Sequence, residues 1–159
     1  MRNILSLLTK SGGTSNHAYF SPGEACLNAI IAGINQAKSS LKICVFTISD
    51  DRITRAILQA HRRGIPVKIL TDNAKLYDKG SDIRELAQAG IPVRIDNTSN
   101  HMHHKFALLD NQTVITGSYN WTRSAAQYNH ENLIISDDKI LVKDFNREFD
   151  RLWNEMTVL

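Results

Sequence analysis

The sequence predicts an α/β fold, with helices packed around a central sheet, and three observations carry that prediction. Helical and strand patterns alternate through residues 17–96. The stretch "LKICVFTIS" (41–49) is apolar or β-branched almost throughout, as in a strand buried on both faces. The segment "GIPVKIL" (64–70) returns as "GIPVRID" (90–96), each copy following a helix and entering a strand. Two copies are too few for a solenoid and fit successive helix–strand units of one sheet.

The elements follow in order. Residues 1–16 end in "TKSGGTSN", small and polar, and are expected to form a flexible N-terminal segment ahead of a single domain over 17–159. "SPGE" then opens a helix. Ser21 suits the cap, Pro22 the first turn and Glu24 a capping box. Leu27, Ile30, Ile31 and Ile34 form its apolar stripe. After strand 41–49, Asp50 and Asp51 start a second helix with Ile53, Ile57 and Leu58 on one side and Gly64 as its C-terminal cap. Beyond Asp96 the pattern changes. "KFALLD" and "TVITGS" read as a hairpin turning at Asn111-Gln112, and "NLIIS" as a further strand. The last helix carries Leu141, Phe145, Phe149 and Trp153 at four-residue intervals, expected in the core.

Composition narrows the class. The chain has 159 residues, 42% hydrophobic and 22% charged, as expected of one folded domain. A net charge of +3 leans only mildly towards anionic partners. Cys26 and Cys44 sit in apolar runs and read as buried free thiols. The apolar stretch at 4–8 falls short of the roughly 7–15 residues of a signal-peptide core. No run approaches the roughly 20 residues of a membrane span. The expectation is a cytoplasmic protein, or a periplasmic or secreted one if a leader has been removed.

The chemistry gathers in "HMHHKFALLDNQTVITGSYN" (101–120). Strand alternation puts His103 and Lys105 on one face and turns His104 to the other. Ser118 and Asn120, two apart, share a face if extended, and Gly117 allows close backbone approach. Glu131 stands just before a strand. Lys105 offers a point charge for a phosphate, and Ser118 and Asn120 offer neutral donors. His103 can be nucleophile or proton carrier, and a carboxylate such as Glu131 can orient an imidazole. Such a set makes a phosphoryl-transfer site that needs neither metal nor cofactor. The rival is a metal site using His101 and His103, but no cysteine stands near to complete a ligand set.

These residues resemble the HKD signature of the phospholipase D superfamily: His103-x-Lys105, four residues, Asp110, six residues, Gly117-Ser118-x-Asn120. The likeness runs over most of the chain and is strongest to single-motif bacterial nucleases and a mitochondrial phospholipase D-like endonuclease. It implies a mixed central sheet flanked by helices on both faces. It implies that His103 forms a phosphohistidine, that Lys105, Ser118 and Asn120 hold the phosphate oxygens, and that Glu131 hydrogen-bonds His103. Asp110 would be a structural ion-pair partner. A single motif implies a homodimer, with a second His103 across a twofold axis.

Outside the motif, Lys75, Tyr77 and Lys79 lie in a loop after a buried strand. They either edge the cleft and guide a phosphodiester backbone or form an ordinary polar loop. Arg123 is a further candidate to face the cleft. Trp121 suits helix-start packing better than base stacking. The leading expectation is a non-specific endonuclease acting on DNA or RNA, with nucleic acid as partner. The alternative is a phospholipase, for example one hydrolysing cardiolipin, with a membrane lipid as partner. From another class, a catalytically silent nucleic-acid-binding module would be expected to lack motif residues, and all six are present.

Overall fold

The computed structural model describes residues 13–159. Most of the expected flexible segment, and the apolar stretch at 4–8, lie outside the described residues. The elements are β1 (Asn16–Ser21), α1 (Ala25–Gln36), β2 (Leu41–Val45), α2 (Asp51–Arg62), β3 (Val67–Thr71), a 3-10 turn (Ala74–Tyr77), α3 (Ile83–Gln88) and β4 (Val93–Ile95). The second half adds β5 (Lys105–Leu109), β6 (Thr113–Gly117), α4 (Arg123–Gln127), β7 (Glu131–Ser136), α5 (Lys139–Glu155) and β8 (Thr157–Val158).

One mixed sheet of eight strands runs β1-β7-β6-β5-β2-β3-β4-β8. β2, β3 and β4 are parallel neighbours, joined by the α2 and α3 crossovers that parallel pairing requires. All other pairs are antiparallel. The side chains of β2 alternate between two cores: Ile43 and Val45 meet α1, α2 and α3, while Cys44 faces α5. The first core includes Ile30, Ile34, Ile57, Ile69 and Ile115, and the second Leu70, Phe106, Leu108, Val114, Phe149 and Leu152. Helices thus flank the sheet on both faces, as expected.

Sequence and structure differ at five points, the first being that the strand expected over 41–49 ends at Val45. "NHAYFS" forms the edge strand β1, paired with β7 from Asn16↔Ser136 to Ser21↔Glu131. Its alternation is weak because Ala18 and Phe20 point to solvent on the uncovered face. The capping box of α1 does not form. Ser21 ends β1 and its hydroxyl donates to the Asn129 carbonyl, so the helix starts at Ala25 behind Glu24 without a side-chain cap. The hairpin turn falls one residue early, on Asp110 and Asn111, both left-handed (φ 56° and 52°). On α5, Leu141 is exposed, and Val142, Phe149 and Leu152 are its buried side chains. The second helix opens as expected: the Asp50 carboxylate accepts from Arg52 N and from the Arg52 guanidinium.

Candidate active site

The motif crosses the middle of the sheet. Residues 101–104 approach β5 in extended form, pinned where Phe46 N donates to the His104 carbonyl. Lys105, the first residue of β5, sends its ammonium back to His103: Nζ lies 3.1 Å from Nδ1 and donates to the His103 carbonyl at 2.7 Å. His103 and Lys105 are therefore side by side. His104 turns away and meets Glu148 at 3.4 Å, with its ring edge-on to Phe106.

β6 and β7 bring the other half. Gly117 is pressed against β7 so closely that a Cβ there would sit 2.2 Å from the Asn132 carbonyl oxygen. That approach lets Ser118 accept from Asn132 N at 3.1 Å and donate to Glu131. Asn129 also donates to Glu131, at 3.3 Å. Glu131 therefore holds Ser118 and Asn129, not His103, whose Nδ1 faces Lys105. The expected Glu131–His103 hydrogen bond is absent because Glu131, the first residue of β7, lies beside Ser118 in the ladder. Beyond Ser118, Tyr119 and Trp121 are buried and fix the intervening Asn120, whose Oδ1 is enclosed without a hydrogen-bond partner among the described residues.

Asp110 holds backbone, not a cation. Its Oδ1 accepts from Lys38 N (2.9 Å), Ser39 N (2.7 Å), Ser40 N (3.0 Å) and the Ser39 hydroxyl (3.1 Å). The expected ion pair is replaced by a carboxylate that ties the β5–β6 turn to the end of α1. Desolvation pushes this carboxyl up, but the N–H groups of Ser39, Ser40 and Lys38 and the Ser39 hydroxyl prevail and hold it below its ordinary value.

The peripheral candidates scatter. Lys75 reaches Asp78 at 2.8 Å, and its ammonium lies 5.0 Å from the Phe46 ring centroid. Tyr77 is exposed, with the Arg84 guanidinium 5.1 Å from its ring. Lys79 is exposed on the same loop. Arg123 is taken by Asp51 at 2.7 Å, an ion pair between the starts of α4 and α2, so it is not left to face the cleft.

Two residues that sequence reasoning missed organise the site. Phe46, just past β2, packs against His103 with its ring tilted (centroids 4.5 Å apart, 54° between planes) and also meets His101 (5.4 Å) and the Lys105 ammonium (5.2 Å). Asp72, just past β3, is fully buried and accepts from His101 Nδ1, Met102 N and Ala74 N. Its signal was present: a carboxylate directly after an apolar strand, where open α/β sheets place their sites. Burial lowers the His103 pKa, Lys105 and then His101 lower it further, and Asp72 opposes them. Burial also lowers that of Lys105, against Glu131. The neutral imidazole, the form that can attack, is favoured. Among the described residues no group of three or more His, Cys, Asp or Glu is arranged to hold a metal ion.

The family of the cardiolipin synthase, PLD-like domain matches residues 30–153. The chain belongs to the phospholipase D superfamily. It is 44% identical over 132 residues to a mitochondrial cardiolipin hydrolase of Xenopus tropicalis, covering 83% of this chain and 63% of that one. It is 41% identical over 143 residues to a mitochondrial cardiolipin hydrolase of Chlamydomonas reinhardtii, covering 90% and 64%. The chain thus spans just under two thirds of the length of these relatives. In structure it is similar to Nuc from Salmonella typhimurium, a phospholipase D family member, at TM-score 0.86 and 28% identity, over 92% of this chain and 99% of that one. The relatives contradict the cytoplasmic expectation, being mitochondrial by name. No helix among the described residues is long and apolar enough to cross a membrane.

Proposed function

We propose that this chain is a metal-independent phosphodiesterase that works through a phosphohistidine at His103. The observation that carries the reading is the His103–Lys105 pair beside the Ser118–Glu131 pair, within a chain of this superfamily. A bound phosphate competes for the Lys105 ammonium and draws it off His103 Nδ1. The Nδ1 position can then carry the ring proton, leaving the Nε2 lone pair free to attack phosphorus. The alcohol leaves as its oxygen is protonated, and water then cleaves the P–N bond and restores the imidazole. Lys105, Ser118 and Asn120 hold the phosphate oxygens as charge builds on them.

The proton for the leaving oxygen requires a general acid, a role that a second His103 imidazole suits. A homodimer that brings two copies of His103 together across a twofold axis supplies it. The dimer is checked by light scattering, and a strictly monomeric, fully active enzyme overturns it.

Two substrate readings each have support. Nucleic acid cleavage is favoured by the likeness to Nuc over nearly the whole of both chains. Hydrolysis of cardiolipin is favoured by the higher identity to cardiolipin hydrolases. The deciding experiment assays single-stranded DNA, duplex DNA, RNA and cardiolipin vesicles in EDTA, with His103→Ala as control. Acid-labile radioactive phosphate on the wild type, absent from His103→Ala, is the expected mark of the intermediate. Activity that disappears with EDTA refutes the metal-free mechanism.

A further inference from the structure

We propose that His101, held by Asp72, forms a second anion position in the cleft, taking the phosphodiester next to the one attacked at His103. The inference rests on the phosphodiesterase reading and adds where the rest of the substrate binds. His101 and His103 line one cleft of about 250 Å³, together with Met102, Thr98 and the α5 side chains Glu148 and Arg151. Their ring centroids are 6.5 Å apart, with Phe46 in contact with both.

His101 is built into this place. Its side chain is 60% exposed, while the carboxylate that holds it is 0% exposed. Asp72 Oδ2 accepts from Nδ1 at 3.1 Å and from Met102 N at 3.0 Å, and Oδ1 accepts from Ala74 N at 3.0 Å. Burying a carboxylate is costly unless its oxygens are satisfied. Here two backbone N–H groups and one imidazole satisfy it, and among the described residues no lysine or arginine pairs with it. The hydrogen bond fixes the proton on Nδ1 and leaves Nε2 as the free ring nitrogen. With the ring protonated, Nε2–H donates to a phosphate oxygen while Asp72 balances the imidazolium charge.

The carboxylates around the same cleft are each engaged by other partners. Glu148 and Glu155 are both bound by Arg151, and Glu148 also meets His104. Asp96 accepts from Asn73 N and from the Thr98 hydroxyl. Lys105, 3.1 Å from His103 Nδ1, adds positive charge beside the histidines, while the Lys75 ammonium is held by Asp78.

The ligand chemistry is a phosphodiester joined by a short linker to a second one. Nucleic acid and cardiolipin both have it, whereas a lone phosphodiester does not. The test compares kcat/KM on a short oligodeoxynucleotide, on cardiolipin in detergent micelles and on bis(p-nitrophenyl) phosphate, for wild type, His101→Gln and His101→Lys. Gln and Lys can each still donate to Asp72, and thermal melts of both variants check that the fold is kept. The expected result is a fall of about tenfold in preference for a multiple phosphodiester over the single ester in His101→Gln, carried by KM. His101→Lys restores most of it, because a cation returns. A fall confined to the oligonucleotide assigns the position to nucleic acid, and one confined to cardiolipin assigns it to the lipid; either supports the inference. Equal losses on single and multiple esters, or an unchanged preference, overturn it. If the wild type turns over none of the three, the phosphodiesterase reading itself falls and takes the subsite with it.

Discussion

Replacing Asp110 with Ala should destabilise the fold by about 3 kcal/mol. One carboxylate oxygen receives four hydrogen bonds, from three backbone N–H groups and the Ser39 hydroxyl. A hydrogen bond to a charged group contributes ~1.5–3 kcal/mol when water cannot replace it. Here the carboxylate is half-buried, so water recovers much of that and roughly 2 kcal/mol remains lost. Alanine must also adopt the left-handed turn conformation at φ 56°, which costs about 1 kcal/mol more. Asp110→Asn keeps an acceptor oxygen and tolerates that conformation, so its loss should be nearer 1 kcal/mol. Urea unfolding at pH 7 measures both. The sign with pH also follows. The folded Asp110 carboxyl is held below its unfolded value, so its contribution is present above about pH 4 and fades as acid titrates the folded group. The wild-type advantage over Asp110→Ala should therefore be equal at pH 7 and pH 5 and shrink below pH 4. A loss under 0.5 kcal/mol for Asp110→Ala, or an advantage that grows in acid, refutes the reasoning.

Other outcomes are equally direct. The His103 ring, followed by NMR, should titrate below the ordinary imidazole value of about 6.5, and Lys105→Gln should raise its midpoint by removing a nearby positive charge. Gly117→Ala should lose about 2–3 kcal/mol by thermal melting, because its Cβ meets the Asn132 carbonyl at 2.2 Å, and it should cost activity by moving Ser118. Trp121→Ala should cost about 3–5 kcal/mol, since its side chain is fully buried beneath the site.

Much of the fold was legible because its signals are local. Apolar runs, the Asp50 cap and the glycine stops each declare themselves within a few residues. β1 escaped because its alternation depends on one uncovered sheet face. The capping box failed because Ser21 was already committed to Asn129 across the sheet. At the site, period-2 alternation separated His103 from His104. Spacing could not say which partner each acceptor would take. Glu131 went to Ser118, Asp110 to backbone amides and Arg123 to Asp51, choices set by neighbours 13, 70 to 72 and 72 residues away in sequence. Phe46 was missed for the same reason, and Asp72 because its place after an apolar strand marks a site without saying which histidine it meets.

The edge strand β1 has a consequence for how the enzyme fails. Its last residue, Ser21, pairs with Glu131, accepts from Glu131 N at 3.2 Å and donates to the Asn129 carbonyl. The start of β7 is therefore fastened by a segment more than a hundred residues earlier in sequence, lying at the border of the sheet. Border strands detach at a smaller free-energy cost than central ones. On warming, amide exchange should quicken first along residues 16–21 and 131–136, while β2, β3 and β5 stay protected. Catalysis should fade over that same range, before the helices melt, because the carboxylate that steadies Ser118 comes loose while the interior remains whole.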